Sequence, residues 1–384
     1  MASQLIHVDY DSAGRIKLLK KPKSSDWHAH LRADALLEAV AAAIMQPCKY
    51  VLAMPNTGPI RTRDDVHHYY DNLVEIRDRL GLTTEIVMTL YFTKLLTPRI
   101  IEALAKLPFR CEIKYYPPEQ GATTGSGFGM PLSEGDNVLW AMRDCKIPLL
   151  GHFESVNDRS GNPLPHGDRE GYFLTQEYPR VRERHPELLI SIEHGSTIEA
   201  VERVIEDTSG RTVITITPHH LLFNMPELLT KSWQNHGRCM PYLKGPEHQA
   251  RLVEFAFSGD IRAIAGSDIA PHPSKKKLGA FEDAACGCWL PHAEGLYILA
   301  AHRAGVLNDD FVHFMCYNGA DWRGLPRPTV EETITVVGCE SPGDIPEPVV
   351  IPGADDVVIP LGWSTEADRL QIGHTLLDQM HCSH

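Results

Sequence analysis

The stretch Asp26-Trp27-His28-Ala29-His30-Leu31-Arg32 holds two imidazoles two residues apart. Residues i and i+2 of a β-strand project from one face, so His28 and His30 can grip a single ion if this stretch is extended. His152 follows Ile147-Pro148-Leu149-Leu150-Gly151, and His194 follows Leu189-Ile190-Ser191-Ile192-Glu193, so each closes a run of strand length. Asp268 closes Ile264-Ala265-Gly266-Ser267 and adds a carboxylate that can bind a cation or carry a proton. A lone histidine at such a place is more often a satisfied core residue. Four of them with one aspartate, all at the ends of predicted strands, point to a metal centre. Neutral imidazoles with a carboxylate suit zinc best, although manganese, cobalt and iron accept the same donors. Lys114, in Glu112-Ile113-Lys114-Tyr115-Tyr116, fits less easily, because an ammonium cannot ligate a metal and is repelled by one. On residue type alone it reads as a salt-bridged or snorkelling lysine.

These side chains need a scaffold that brings distant strand ends together. β-rich runs are predicted at Ser24–His30, Tyr50–Pro55, Glu85–Phe92, Cys111–Tyr116, Ile147–His152, Leu188–His194, Thr212–Pro218 and Ile261–Asp268. Helical patterns such as Ala33–Met45, Arg99–Leu107, Ile198–Ile205 and His248–Phe257 lie between them. Eight strand-helix units predict an α/β fold, a closed (β/α)₈ TIM-type barrel spanning residues 23–325. Seven of the eight runs end within a residue or two of a His, Lys or Asp, and the other runs into Asn56. In such barrels the C-terminal strand ends converge on one mouth, where ionisable residues serve chemistry. Residues 1–22 read as a short N-terminal extension. From Pro326 onward Pro, Gly and Val-rich pairs replace the strand-helix rhythm, so 326–384 reads as a small β-rich appendage or tail.

Composition narrows the function. With 50 acidic against 37 basic residues the net charge is −13, and no dense Lys/Arg block suggests a nucleic-acid partner. No window approaches the ~18 consecutive apolar residues of a membrane span. Nine cysteines in 384 residues are too few for a disulfide framework, and no signal-peptide pattern opens the chain, which together predict a reducing cytoplasm. Cys286-Gly287-Cys288 has one residue between its thiols, unlike a C-x₂-C knuckle, and reads as a loop with incidental thiols.

Taken in order, further motifs make the pattern specific. They are His28-Ala29-His30-Leu31-Arg32, Met54-Pro55-Asn56, Lys114 followed by Tyr116-Pro117, Ala122-Thr123-Thr124 and Glu193-His194. Downstream come Thr217-Pro218-His219-His220-Leu221, Gly266-Ser267-Asp268 with Ala270-Pro271-His272, and Asn318-Gly319. Across residues 24–325 this series resembles the dihydroorotases of the shorter bacterial and fungal type, within the amidohydrolase superfamily. The resemblance implies two zinc ions per chain, bridged by a carboxylated Lys114 and a hydroxide. His28, His30 and Asp268 would hold one ion and His152 and His194 the other. It further implies Asp268 as the proton carrier of a reversible reaction, cyclisation of N-carbamoyl-L-aspartate to L-dihydroorotate. Arg32, Asn56 and His272 would hold the substrate carboxylate, Thr123 and Thr124 would belong to a loop closing over the ligand, and Met240 and Cys286 would offer backbone groups to it. The family also suggests a homodimer.

Some positions depart from the family pattern. The segment between Lys114 and Thr123 is about two residues longer, Phe153 replaces a usual glycine, and Asn157–His166 reads as an added excursion. Met240 stands where leucine is usual. Other readings remain open on the sequence: a related hydrolase of another carboxylated cyclic amide or imide, and a catalytically dead scaffold subunit. A deaminase of the same superfamily would lack the bridging lysine.

Overall fold

The computed structural model describes residues 5–12, 14, 16–55, 60–119, 122, 127–291, 293–329, 331–337, 348–361 and 381–383. Eight parallel strands form one sheet in sequential order: β1 (Ser24–Ala29), β2 (Cys48–Ala53), β3 (Glu85–Tyr91), β4 (Cys111–Tyr115), β5 (Leu149–Gly151), β6 (Ile190–Ile192), β7 (Thr212–Ile216) and β8 (Ala263–Ala265). The sheet closes between its first and last members. Asp268 N donates to His28 O at 2.9 Å, His30 N donates to Ile269 O at 2.8 Å, and Ala29 bridges Ile269 in parallel. The eight predicted strands are all present and make the (β/α)₈ barrel.

The strands between them are separated by amphipathic helices. Asp34–Met45 buries Leu37, Val40, Ala41 and Ile44, the i, i+3, i+4, i+7 stripe of a helix lying on a sheet. Arg63–Arg79 starts with a capping box, in which Asp65 N donates to Thr62 Oγ1 at 3.2 Å and Thr62 N donates to the Asp65 carboxylate at 2.8 Å. Thr97 and Thr197 cap Pro98–Leu104 and Ile198–Glu206 more simply, their side chains accepting from Ile100 N and Ala200 N.

Inside the barrel, Trp27, Tyr50, Leu52, Met54, Val87, Leu150, Val213 and Ile264 pack as one apolar plug. The side chains of Arg323 and Glu112 close the plug from below. Three hydrogen bonds of 3.0 to 3.2 Å join their guanidinium and carboxylate, both side chains are fully buried, and the guanidinium sits 4.2 Å over the Trp27 ring.

The plug exposes a detail that alternation alone misses. Trp27 points inward with the plug, yet His28, its immediate neighbour, also reaches the interior. The pairing explains it: Asp26 stands opposite Val51 and Ala29 opposite Ala53, so three steps on β1 match two on β2. This β-bulge adds one residue and turns both Trp27 and His28 inward.

Several strands stop earlier than predicted. β6 ends at Ile192 and β8 at Ala265, ahead of His194 and Asp268. Both of those residues have positive φ, +41° and +50°, which takes the chain out of the extended ladder.

The flanking residues meet each other. Ile16–Pro22 pairs antiparallel with His7–Tyr10 on one side and Thr333–Val337 on the other, and Thr333–Val337 pairs with His381–Ser383. Farther on, Val349–Val350 and Val357–Val358 form a hairpin whose Val358 bridges Pro273, beside the barrel mouth.

Candidate active site

Parallel strands that twist around a barrel send every second side chain inward, and the mouth collects the inward residues nearest each C-terminal end. On β4 the inward positions are Glu112, Lys114 and then Tyr116. Glu112 serves the floor and Lys114 sits one layer higher, beneath the mouth. His152 follows β5 directly, His194 comes two residues after the end of β6, and the bulge in β1 presents His28 and His30.

The donors converge. His30 Nε2 lies 3.0 Å and His28 Nε2 3.5 Å from Asp268 Oδ1. The ligand atoms of these three buried residues lie within 4.8 Å of one another. His152 Nδ1 and His194 Nε2 face each other at 3.1 Å, and the His28 and His194 ring centroids are 4.8 Å apart. Lys114 is fully buried; its Nζ has no hydrogen-bond partner among the described residues and lies 5.0 Å from the Tyr116 ring centroid.

Outer carboxylates fix the rings. Glu193 contacts His28 Nδ1, and Glu154 lies 2.7 Å from His152 Nε2. Each partner occupies one imidazole nitrogen and leaves the other directed inward, the usual support for a metal-ligating histidine. Both glutamates escaped the sequence reading as functional residues. Their signal was present, since Glu193 adjoins His194 and Glu154 lies two residues beyond His152.

Burial sets the protonation. It pushes His28 and His194 well below the usual histidine range and lowers His152, so these rings are neutral. Burial also brings Lys114 down to about 8 and lifts Glu193 to about 7. A buried amine with no hydrogen-bond partner, surrounded by neutral imidazoles, does not satisfy itself as an ammonium. The same set fits divalent cations well once Lys114 carries an anionic group.

Beside the imidazoles, Arg32 is aimed by two contacts: Nε donates to Pro271 O at 2.9 Å, and Nη2 lies 3.0 Å from His272 Nε2. Burial and the adjacent guanidinium hold His272 at about 2, so its ring is neutral. Its Nε2 also lies 2.8 Å from Cys286 O, and the ring can accept from Arg32 or donate to Cys286, one at a time. Burial lowers Arg32 to about 10, which leaves it protonated at neutral pH.

These groups line one cavity of about 40 Å³, with His28, His30, Arg32, His152, His194, Met240, Asp268 and Cys286 on its walls together with Tyr116, Ala270 and Gly287. Gly287 has φ +124°, and a Cβ there would meet Ala270 Cβ at 2.5 Å, so only glycine brings this wall so close. Arg32 (φ +65°), His194 and Asp268 are non-glycine residues in the left-handed region. Such strain costs on the order of 1 kcal/mol or more per residue and gathers at functional sites. Asn56, Thr123 and Thr124 lie outside the described residues. A larger cavity of about 730 Å³, bounded by the starts of β1 and β2, has no histidine among its described lining residues.

No protein-family model matches the chain. Curated relatives do. A dihydroorotase from Picosynechococcus sp. is 34% identical over 346 residues, 89% of this chain and 94% of the relative. One from Halorhodospira halophila is 35% identical over 348 residues, 89% and 95% of the two chains. Among solved structures, Saccharomyces cerevisiae dihydroorotase in complex with 5-fluoroorotic acid superposes with a TM-score of 0.78 at 25% identity, covering 90% of this chain and 95% of that one. With identity above 30% along nearly the whole length, and the same barrel beneath it, this chain belongs to the dihydroorotase family.

Proposed function

We propose that the chain catalyses the reversible, metal-dependent cyclisation of N-carbamoyl-L-aspartate to L-dihydroorotate, with hydrolysis of the ring amide as the reverse, in pyrimidine biosynthesis. One observation carries the reading: the buried Lys114 amine, without a hydrogen-bond partner among the described residues, lies among four histidines and Asp268 at the mouth of one barrel.

We assign His28, His30 and Asp268 to one zinc ion and His152 and His194 to a second, with Lys114 between them as a carbamate. Carboxylation is the addition of a neutral amine to carbon dioxide with loss of one proton, and it turns a would-be cation into an anion. When bound, the ions supply Lewis acidity and make water acidic enough to lose a proton near neutral pH.

The chain's own groups do the rest. Arg32 binds the substrate carboxylate with its planar fork, held in place by Pro271 O and His272. The walls at Met240 and Cys286 present backbone groups to the ring. Asp268, between His28 and His30, takes the proton of the attacking water and passes it to the departing ring nitrogen. In the biosynthetic direction it receives that proton from the carbamoyl nitrogen. The pyrimidine carboxylate in the yeast relative supports a carboxylated ring as ligand.

Metal analysis joined to an assay tests this. About two zinc ions per chain, turnover of dihydroorotate far above that of an uncharged dihydropyrimidine, and loss of turnover in Lys114→Ala are expected. Full activity in metal-free protein sinks it. The same reading carries a homodimer of the cytoplasm. The seven described cysteines are all free, as a reducing compartment requires. Sedimentation should give about twice the 42.9 kDa of one chain.

A further inference from the structure

Behind one wall of the pocket, a second set of metal-binding side chains is assembled. His219, Cys239 and Cys288 place an imidazole nitrogen and two sulfurs within 4.8 Å of one another. All three are buried, at 1%, 2% and 0% exposure. They arrive from three segments far apart in sequence. His219 lies in Pro218–Leu222, the short helix after β7. Cys239 precedes Met240, and Cys288 bridges Ile269, next to Asp268. Among the described residues neither ring nitrogen of His219 has a hydrogen-bond partner, an uncommon state for a buried imidazole. The mechanism proposed above uses none of the three.

We propose that His219, Cys239 and Cys288 bind a zinc ion of their own, separate from the barrel-mouth centre, and that this ion clasps the wall of the substrate pocket. Thiolate and imidazole donors select zinc over magnesium or calcium. Binding is a proton exchange without redox change: two thiols lose their protons, the imidazole remains neutral, and the divalent ion takes their place. Two thiolates and one dication sum to zero charge, which suits an interior that disfavours net charge. Three protein donors leave a fourth position for a solvent molecule.

The surroundings support each part. Burial holds His219 at about 4, so its ring is a neutral donor. The contact with Cys288 and burial push the Cys239 thiol well up. Lys277, also buried, donates to Ala285 O at 2.7 Å, to Arg238 O at 3.4 Å and to Gly287 O, and brings a positive charge toward the two sulfurs.

The consequence lies in what the loops carry. Met240 and Cys286 line the cavity, each next to a proposed ligand loop, and Gly287 N already donates to Arg238 O at 2.8 Å. An ion on Cys239 and Cys288 locks these two loops together, and His219 ties them to the end of β7.

Cobalt substitution of the whole enzyme tests the clasp. The barrel-mouth donors are nitrogen and oxygen, so a thiolate-to-cobalt charge-transfer band can come only from a cysteine site. The parent protein should show that band and bind about one equivalent beyond the mouth ions. Cys239→Ser and Cys288→Ser should each lose the band and that equivalent while keeping the mouth complement. Their KM should rise several-fold with kcat within about twofold. A cobalt-saturated parent without the band overturns the proposal, as does a band that survives in both variants. The parent spectrum needs no variant to fold, and an unmetallated barrel mouth would fail by a different count, that of the nitrogen and oxygen sites.

Discussion

The Lys114 environment makes a quantitative demand on how the centre is assembled. Burial brings the amine to about 8, against about 10.4 for an exposed lysine. At pH 8 about half of Lys114 is then neutral, roughly 150-fold more than a lysine titrating at 10.5 would offer, and only the neutral amine adds to carbon dioxide. From pH 8 to 9 the neutral fraction rises about twofold for a group at 8 and about tenfold for one at 10.5. Assembly from metal-free protein, at saturating zinc and fixed dissolved carbon dioxide, should therefore accelerate about tenfold per unit at pH 6 to 7 and level off above 8. Carbon-13-labelled carbon dioxide gives the carbamate resonance directly, and recovered activity gives the rate. A rate that climbs tenfold between pH 8 and 9, or active enzyme with no labelled carbamate, would refute the reasoning.

Three other outcomes follow from the same geometry. Arg32→Lys cannot both engage Pro271 O and face His272, so its KM for dihydroorotate should rise ~10–100-fold, the loss of one charge-assisted hydrogen bond of about 1.5–3 kcal/mol, with a smaller change in kcat by steady-state kinetics. Glu112→Gln leaves the buried Arg323 without its anion and should cost on the order of 3–5 kcal/mol in denaturant unfolding while kcat/KM of the folded fraction is unchanged; equal stability of variant and parent would remove the pair from the floor's energetics. Burial raises Glu170 from 4.5 to about 7, and it accepts from Ser196 N and Oγ. The folded state thus holds a proton that the unfolded chain releases, so stability falls as pH rises from about 4.5 to 7, by up to about 3 kcal/mol from this group. Glu170→Gln should flatten unfolding free energy measured across that window, and an unchanged slope would contradict it.

What the sequence determined by itself was the period and order of the elements. Eight strand-length runs separated by helical stripes specify a closed parallel barrel, because alternating strands and helices bury their apolar faces in one stable way. His28, His30, His152, His194 and Asp268 could be placed at its mouth because each lies where such a run ends. Lys114 became interpretable through the family resemblance, since residue chemistry alone gives an ammonium. Tertiary structure decided the rest. The bulge that turns both Trp27 and His28 inward depends on register with β2, and the positive φ of His194 and Asp268 depends on packing that overrides local preference. The meeting of Ile16–Pro22 with Thr333–Val337, and of His219 with Cys239 and Cys288, joins residues whose separation along the chain carries no period or motif. Contacts of that kind are set by where the closed barrel delivers its loops, and local sequence does not encode them.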